Sequence, residues 1–371
     1  MTVGAETDSE ARRRAVMWSD GGDRVIVGPL KGYHHETYAF PLPPESPLRP
    51  RYAWGKLRSP RSGVLWYDRR CFASEDRLLL MLKGRVDRVP ESVEVTPGVY
   101  LQGFVEGRPP GGGPLPGRPL SGHHEGQLAR LFQQVVAIKT DEFDDLPRTC
   151  LPDGHPVLDD DSTVFLNRLT DFTATQVYDR HAEEYGELFE RLGVRRRALE
   201  ALALPAGRLA NRPFALVHGD LHRHNFIVDH AGDLWTIDWE LAMIGDPLYE
   251  LATHLHLMRY STRDAQRVGT MWAGAVEEVR PGASREWQRD LPYLLAYKRV
   301  QSVFTDVVRA AVGLGPRNDP HRVVLPVAAW KVRRVLEAAK GPLGLTQVPT
   351  VPQVMSAYAG WLKRSGGATA P

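Results

Sequence analysis

Between Arg24 and Gly107 apolar residues come in short runs separated by turn formers, the signature of strands rather than helices. DRVIVGPL, the turn-like KGYHH and ETYAFPLP predict a hairpin, and RYAWGKLRSP predicts a third strand after a Pro-rich connection. ASEDRLLLMLKG predicts a helix, with Ser74 as N-cap, acids in its first turn and Gly84 closing it. ESVEVTP and GVYLQGFVEG complete a β-β-β-α-β-β order. Beyond residue 120 the period lengthens. In HEGQLARLFQQVVAIKT, Leu128, Leu131, Phe132, Val135, Val136 and Ile138 recur at helical spacing. Similar stripes run through ATQVYDRHAEEYGELFERLG, LPYLLAYKRVQSVFTDVVRAAV and RVVLPVAAWKVRRVLEAAK. One β-rich island, PFALVHGDLHRHNFIVDHAGDLWTIDWE, interrupts the helices, and there is no internal repeat. The pattern predicts an α+β chain: residues 1–18 a polar tail or short charged helix, 19–106 a small sheet-rich lobe, 107–119 a linker, and 120–371 a larger helical lobe.

The linker GRPPGGGPLPGRP is the densest Gly/Pro stretch. Its triple glycine is not a phosphate loop, because no Lys-Ser/Thr follows and no helix start abuts it. Composition narrows the picture further. With 371 residues, 42% hydrophobic and 25% charged, the chain has the make-up of a globular protein with a sizeable core. A net charge of +2 gives no global field for nucleic acid or an anionic membrane. No stretch is long and apolar enough for a membrane span, and the N-terminal residues lack a signal-peptide pattern, so a cytoplasmic protein is expected. The two cysteines, Cys71 and Cys150, form no CxxC pair; they read as small buried hydrophobes in a reducing interior.

Chemistry concentrates in the island. His218-Gly219-Asp220-Leu221-His222-Arg223-His224-Asn225 lies between two apolar strands, and a tight turn, DHAGD, returns the chain as LWTIDWE, carrying Asp238. One loop therefore offers a carboxylate and a carboxamide, and a hairpin brings a second carboxylate beside them. Phosphoryl transfer needs this set: an acid to orient or deprotonate the attacking hydroxyl, and hard oxygen ligands for magnesium on the nucleotide phosphates. An Asn ligand supplies oxygen without adding charge near an anionic triphosphate. His218, His222, His224 and His230 have no established zinc pattern, and H-E-x-x-H is absent.

The spacing D-x-x-x-x-N followed by Ile237-Asp238 resembles the catalytic and metal-binding segments of the protein-kinase fold. Together with Gly245-Asp246-Pro247 and Leu251-Ala252, it resembles the aminoglycoside phosphotransferase and choline kinase family, most strongly over residues 213–252 and more weakly through the small lobe. The resemblance implies a two-lobed protein-kinase-like fold and transfer of phosphate from ATP or GTP to a small-molecule hydroxyl. It implies Asp220 as base, Asn225 and Asp238 as Mg2+ ligands, and Asp246 as a brace for the loop. His218 joins Asp220 in the candidate catalytic pair by orienting the loop through hydrogen bonds. Arg223-His224 stands where relatives often have Pro-Gly, and Glu240 places an acid two residues after Asp238, as in choline-kinase-type members.

A kinase-type site also needs a cation for the α- and β-phosphates, anchored by a helix acid. Lys56, one of only eight lysines, lies centrally in the third extended run, and Glu75 opens the helix that follows. Lys31 is the rival, sitting in the loop Gly28-Pro29-Leu30-Lys31-Gly32 that would cover the phosphates. Gly28 and Gly32 would let backbone N–H groups approach phosphate, or serve only a turn. Adenine would meet backbone groups around Phe104, Glu106 and Gly107.

The helical lobe is expected to hold the acceptor. Acidic runs at Asp141–Asp145 and Asp159–Asp161 would attract a polycationic aminoglycoside, or simply be solvated loops. Trp239, Trp272 and Tyr249 would stack on a sugar or quaternary ammonium, or belong to the core. The long connection from Pro147 to Thr175 reads as a specificity insert. Three functions fit: a kinase of an antibiotic, sugar or amino alcohol; a kinase of Ser/Thr hydroxyls on a peptide; or a nucleotide-binding pseudokinase. The joint presence of Asp220, Asn225 and Asp238 speaks against the last.

Overall fold

The structure, a computed structural model, describes residues 9–30, 32, 34–61, 67–111, 117–149, 160–315 and 324–367. Lys31, Cys150 and Asp159 lie outside the described residues, as does the centre of the linker at 112–116.

Of the two expectations for the N-terminal segment, its described residues form the short charged helix. α1 (Glu10–Trp18) is capped by Ser9, which accepts from the Arg12 N–H at 3.2 Å. Its Ala11 and Ala15, one turn apart, are buried in the apolar cluster of Tyr38, Phe40, Leu57 and Leu101. Those residues come from a four-stranded antiparallel sheet of β1 (His35–Pro41), β2 (Trp54–Pro60), β3 (Ser92–Thr96) and β4 (Val99–Phe104), ordered β1-β2-β4-β3.

The expected first strand does not form. DRVIVGPL gives a 3-10 turn at Gly22–Val25 and a single bridge, Val27 to Ala39. Pro29 has no N–H for a ladder. Gly28 sits so close to its neighbour that a Cβ would lie 2.5 Å from Tyr38 Cδ1 and 2.8 Å from Thr37 O. The segment hugs β1 without extending the sheet.

Alternation along β2 sorts its side chains by face. Gly55 and Leu57 turn into the small-lobe core, leaving Lys56 and Arg58 together on the other face, towards α2 (Glu75–Leu82). α2 has the expected Ser74 cap. Its Leu78, Leu79 and Leu82 join the core of the large lobe, so this helix spans both lobes.

In the large lobe, α3 (Gly122–Ala137) buries the predicted stripe. In the described part of the connection read as an insert, α4 (Ser162–Phe172) buries Phe165, Leu166 and Leu169 in the same cluster. It runs into a π-helical turn at Thr173–Tyr178, a 3-10 turn at Asp179–His181, α5 (Ala182–Arg191) and the short α6 (Arg197–Glu200).

The island supplies three short strands, β5 (Ala215–Val217), β6 (Phe226–Val228) and β7 (Leu234–Thr236), and β8 (Met243–Gly245) follows just beyond it. β6 and β7 form the predicted hairpin; β5 pairs with β8. Then follow α7 (Pro247–Met258), α8 (Thr262–Val279), α9 (Trp287–Gly313), α10 (Leu325–Ala338) and α11 (Val351–Gly367). The last two pack with α5 and the second half of α9 in a separate apolar cluster.

The architecture is α+β and two-lobed, a small antiparallel sheet beside a larger helical body. Trp239, Trp272 and Tyr249 are core residues, each at most 3% exposed. Cys71 corrects another expectation. It is buried but disulfide-bonded and so is not a free thiol, which removes the cysteine argument for a reducing interior. Among the described residues no helix is long and apolar enough to cross a membrane.

Candidate active site

The loop after β5 turns sharply at Gly219, whose φ of 76° and backbone contact leave no room for a side chain; a Cβ would lie 2.8 Å from Leu241 O. Glu250 on α7 holds the turn, accepting the backbone N–H groups of His218 and, at 3.2 Å, Gly219. His218 fixes the exit. Its Nδ1 accepts from the Asp220 N–H at 3.3 Å, so the proton resides on Nε2, which donates to Ile237 O at 3.1 Å. Burial depresses its pKa to about 4, against the opposing pull of Asp220, so the ring is neutral. With 1% exposure and both nitrogens engaged, His218 cannot reach a substrate; the expected catalytic partner is a positioning residue.

Asp220, partly exposed, is thereby presented at the mouth of the loop. Asn225 turns its amide onto Asp220, donating from Nδ2 to the main-chain O at 2.9 Å and to Oδ2 at 3.0 Å. What the side chain has left for a cation is its Oδ1. The β6–β7 hairpin delivers Asp238: Ile237 N–H donates to Asn225 O at 2.9 Å, and Asp238 itself adopts a left-handed φ of 67°. Burial, followed by the nearby charges of Glu75 and Glu240, pushes Asp238 up to about 7.

A carboxylate crowded by carboxylates is stabilised by a divalent cation, and two hard oxygen donors from Asp238 and Asn225 suit magnesium, which takes its remaining ligands from phosphate and water. Among the described residues no group of three or more His, Cys, Asp or Glu side chains could hold a metal ion.

In the small lobe the ion pair differs from the expected one. Glu75, 3% exposed, pairs with Arg58 rather than Lys56 and accepts the Trp239 N–H at 3.0 Å. Arg58 reaches the carboxylate because it sits two residues further along the same strand face, opposite the start of α2. Lys56 lies between the Glu75 and Asp238 charges without an ion pair among the described residues, and burial lowers its pKa while Glu75 opposes the shift. Phe104 ends β4 opposite Trp54, and half-buried Glu106 follows. The next residues are stapled to the catalytic hairpin: Arg108 exchanges backbone hydrogen bonds with Val228 at 3.1 and 2.8 Å. Of the two loop glycines, Gly28 is sterically required, whereas Gly32 has ordinary φ.

Several contributors escaped the sequence reading. His222 places Nε2 3.4 Å from Asp220 Oδ2. Burial opposes its charge, but the hydrogen bond and charge of Asp220 prevail and raise its pKa. His254, fully buried, holds Leu221 O at 2.9 Å through Nδ1 and the Tyr260 hydroxyl at 3.1 Å through Nε2. Glu240 bridges the lobes, contacting His34 Nδ1 at 2.6 Å and His35 Nδ1 at 3.0 Å.

Asp246 does not touch the loop. It caps α7 through the Leu248 N–H at 2.8 Å and grips Arg212 with two hydrogen bonds of 2.9 Å, while Glu250, one turn later, does the bracing. The acidic run near residue 141 is structural and solvated: Glu142 pairs with Arg85, Asp144 with Arg148 at 2.8 Å, and Asp161 caps α4.

Comparison with known proteins agrees in kind with this geometry. No curated protein matches the chain. Among solved structures it is similar to the macrolide 2'-phosphotransferase MphH from Brachybacterium faecium, at 16% identity and TM-score 0.48 over 92% of this chain and 100% of that one. It is also similar to a choline kinase from Cryptosporidium parvum, at 13% identity and TM-score 0.49 over 94% and 98%. A thermostable aminoglycoside phosphotransferase APH(4)-Ia, in complex with ADP and hygromycin B, is similar at 14% identity and TM-score 0.47 over 90% and 93%. The phosphotransferase enzyme family model matches residues 56–288, well over half of the chain and the whole catalytic island. The chain belongs to the phosphotransferase enzyme family.

Proposed function

We propose that this chain transfers the γ-phosphoryl group of ATP to a hydroxyl of a small molecule. The observation that carries the reading is the locked constellation of Asp220, Asn225 and Asp238 on one loop and one hairpin, joined by the Asn225–Asp220 and Ile237–Asn225 hydrogen bonds. Asp220 accepts the proton of the attacking hydroxyl and orients its oxygen towards the phosphorus. His222, with Nε2 3.4 Å from Asp220 Oδ2, orients that carboxylate. Asn225 and Asp238 would hold magnesium, which when bound would offset the charge of the nucleotide phosphates. Lys56 is proposed to meet the α- and β-phosphates, while Arg58 holds Glu75 and, through it, the backbone beside Asp238. The backbone from Phe104 to Gly107, Glu106 included, is proposed as the adenine edge, and Gly28 and Gly32 as the cover over the phosphates.

The test is Asp220→Asn. Transfer to any acceptor found by an ADP-release screen should fall about 100-fold or more, while magnesium–ADP binding by calorimetry stays near that of the unaltered protein. Turnover that survives in this variant would sink the assignment of Asp220.

A further inference from the structure

A basic cleft in the helical lobe is lined by none of Asp220, Asn225 and Asp238. A cleft of about 410 Å³ opens between the C-terminal end of α7, the start of α8, the middle of α9 and the end of α10. Arg259, Arg299 and Arg334 converge on it from three different elements. None of the three has a carboxylate within ion-pair distance among the described residues, and the Arg334 guanidinium lies over the Trp330 ring, 4.7 Å from its centroid. Asp306 is the one carboxylate on the wall, and it leans to Arg309, 3.8 Å away.

The floor is mixed. Leu255, Leu295 and Val335 give it apolar surface, and Tyr260 and the His256–Ser302 pair (2.7 Å) give it neutral hydrogen-bonding groups. The local field is felt by His256, whose pKa falls to about 3 through burial and then the charges of Lys298, Arg259 and Arg299. A second cavity of about 420 Å³ adjoins, sharing Arg259 and Arg334 and adding Lys331.

Three guanidiniums facing one cleft outnumber its single carboxylate, Asp306, which Arg309 shares, and an anion bound among them offsets the excess positive charge through charge-assisted, forked hydrogen bonds. The apolar floor adds a preference for an organic body over a bare ion. We infer that this cleft is a binding site for a small organic phosphate or carboxylate, with Arg259, Arg299 and Arg334 as its anion-holding residues. The cleft shares no lining residue with Asp220, Asn225 or Asp238 but is joined to their loop: Tyr260 on its wall bonds His254, which bonds Leu221 O beside Asp220. A polycation would be repelled here, so the same cleft argues against this face as an aminoglycoside surface. The inference stands independently of the transferase reading.

The experiment uses the full chain saturated with magnesium–ADP, so that the nucleotide site does not compete for the probes. Phenyl phosphate and benzoate are titrated by calorimetry, with phenol and benzylamine as neutral and cationic counterparts. At least one anion should bind saturably and more weakly at high salt, while the two counterparts do not. Arg299→Ala with Arg334→Ala should weaken that binding about tenfold or more; both side chains are exposed, so their removal orphans no buried group. As a second readout on the unaltered protein, bound phenyl phosphate should protect Arg299 and Arg334 from phenylglyoxal, measured by mass spectrometry. Absence of saturable anion binding, equal affinity in the double variant, or unchanged arginine modification would each overturn the site.

Discussion

Arg58 and Lys56 share a strand face but are asked to do different things, and mutation should separate them. Arg58→Met leaves Glu75, with a side chain only 1% exposed, without its cation, and should lower stability by about 3–5 kcal/mol in urea unfolding. Lys56→Met has no such partner to orphan. It should unfold near the original midpoint yet raise the KM for ATP about tenfold or more in steady-state kinetics. Equal losses of stability in both variants would show that Lys56 is a structural residue.

Glu250 makes a pH-dependent contribution. Burial first of all pushes it up from its ordinary 4.5 to about 7, so folding favours its protonated form. That contribution is complete below pH ~4.5 and is lost as pH rises through about 7. Relative to Glu250→Gln, the unaltered protein should therefore lose roughly 3 kcal/mol of stability across that window, read from urea midpoints at stepped pH. A difference that stays flat with pH would refute it.

The sequence marks Asp220, Asn225 and Asp238 because loop chemistry is written at fixed local spacing. It is silent on Glu250, His222 and His254, since an acid in an apolar helix or a His in a polar loop acquires its role only from the fold around it.

Among elements, the buried trio of Arg212, Asp246 and Asp290 ties three pieces together: the segment entering β5, the start of α7 and the start of α9. Arg212 donates to Asp246 twice at 2.9 Å and to Asp290 at 3.0 Å, all three side chains having no exposure. Arg212→Leu would leave Asp246 buried without a cation, while Asp290 keeps Arg289 at 2.8 Å, and should cost about 3–5 kcal/mol, seen as a fall in Tm with loss of the cooperative transition in the catalytic lobe. Restored stability in a triple replacement by apolar residues would agree with this account, because the cost comes from orphaned charge.

Helices were legible wherever one stripe faced one core, as in α3 and α10. The short elements were not. Three residues of β8 carry no period, and the apolar run before Pro29 looked like a strand because hydropathy does not register a missing N–H or the closeness of Gly28 to Tyr38. The disulfide at Cys71 was equally invisible, since two isolated cysteines imply no framework.

At the scale of the molecule, the two-lobed plan followed from the change of hydrophobic period near residue 120, but the way the lobes meet did not. α2 belongs to the large-lobe core while its first residue holds the small-lobe Arg58, and Arg108 stitches the interlobe strand to β6. These contacts make the boundary a seam and not a free hinge.

The contact of Glu240 with His34 and His35 closes the far side of that seam, its carboxylate held below the usual range by these two hydrogen bonds against the effect of burial. A gate latched before any visitor arrives sets the pace of entry. A nucleotide would then wait for the latch to slip, and its association rate would level off with concentration instead of rising in proportion. Glu240→Ala should lift that plateau in stopped-flow mixing with a fluorescent nucleotide, and an unchanged plateau would mean that entry takes another route.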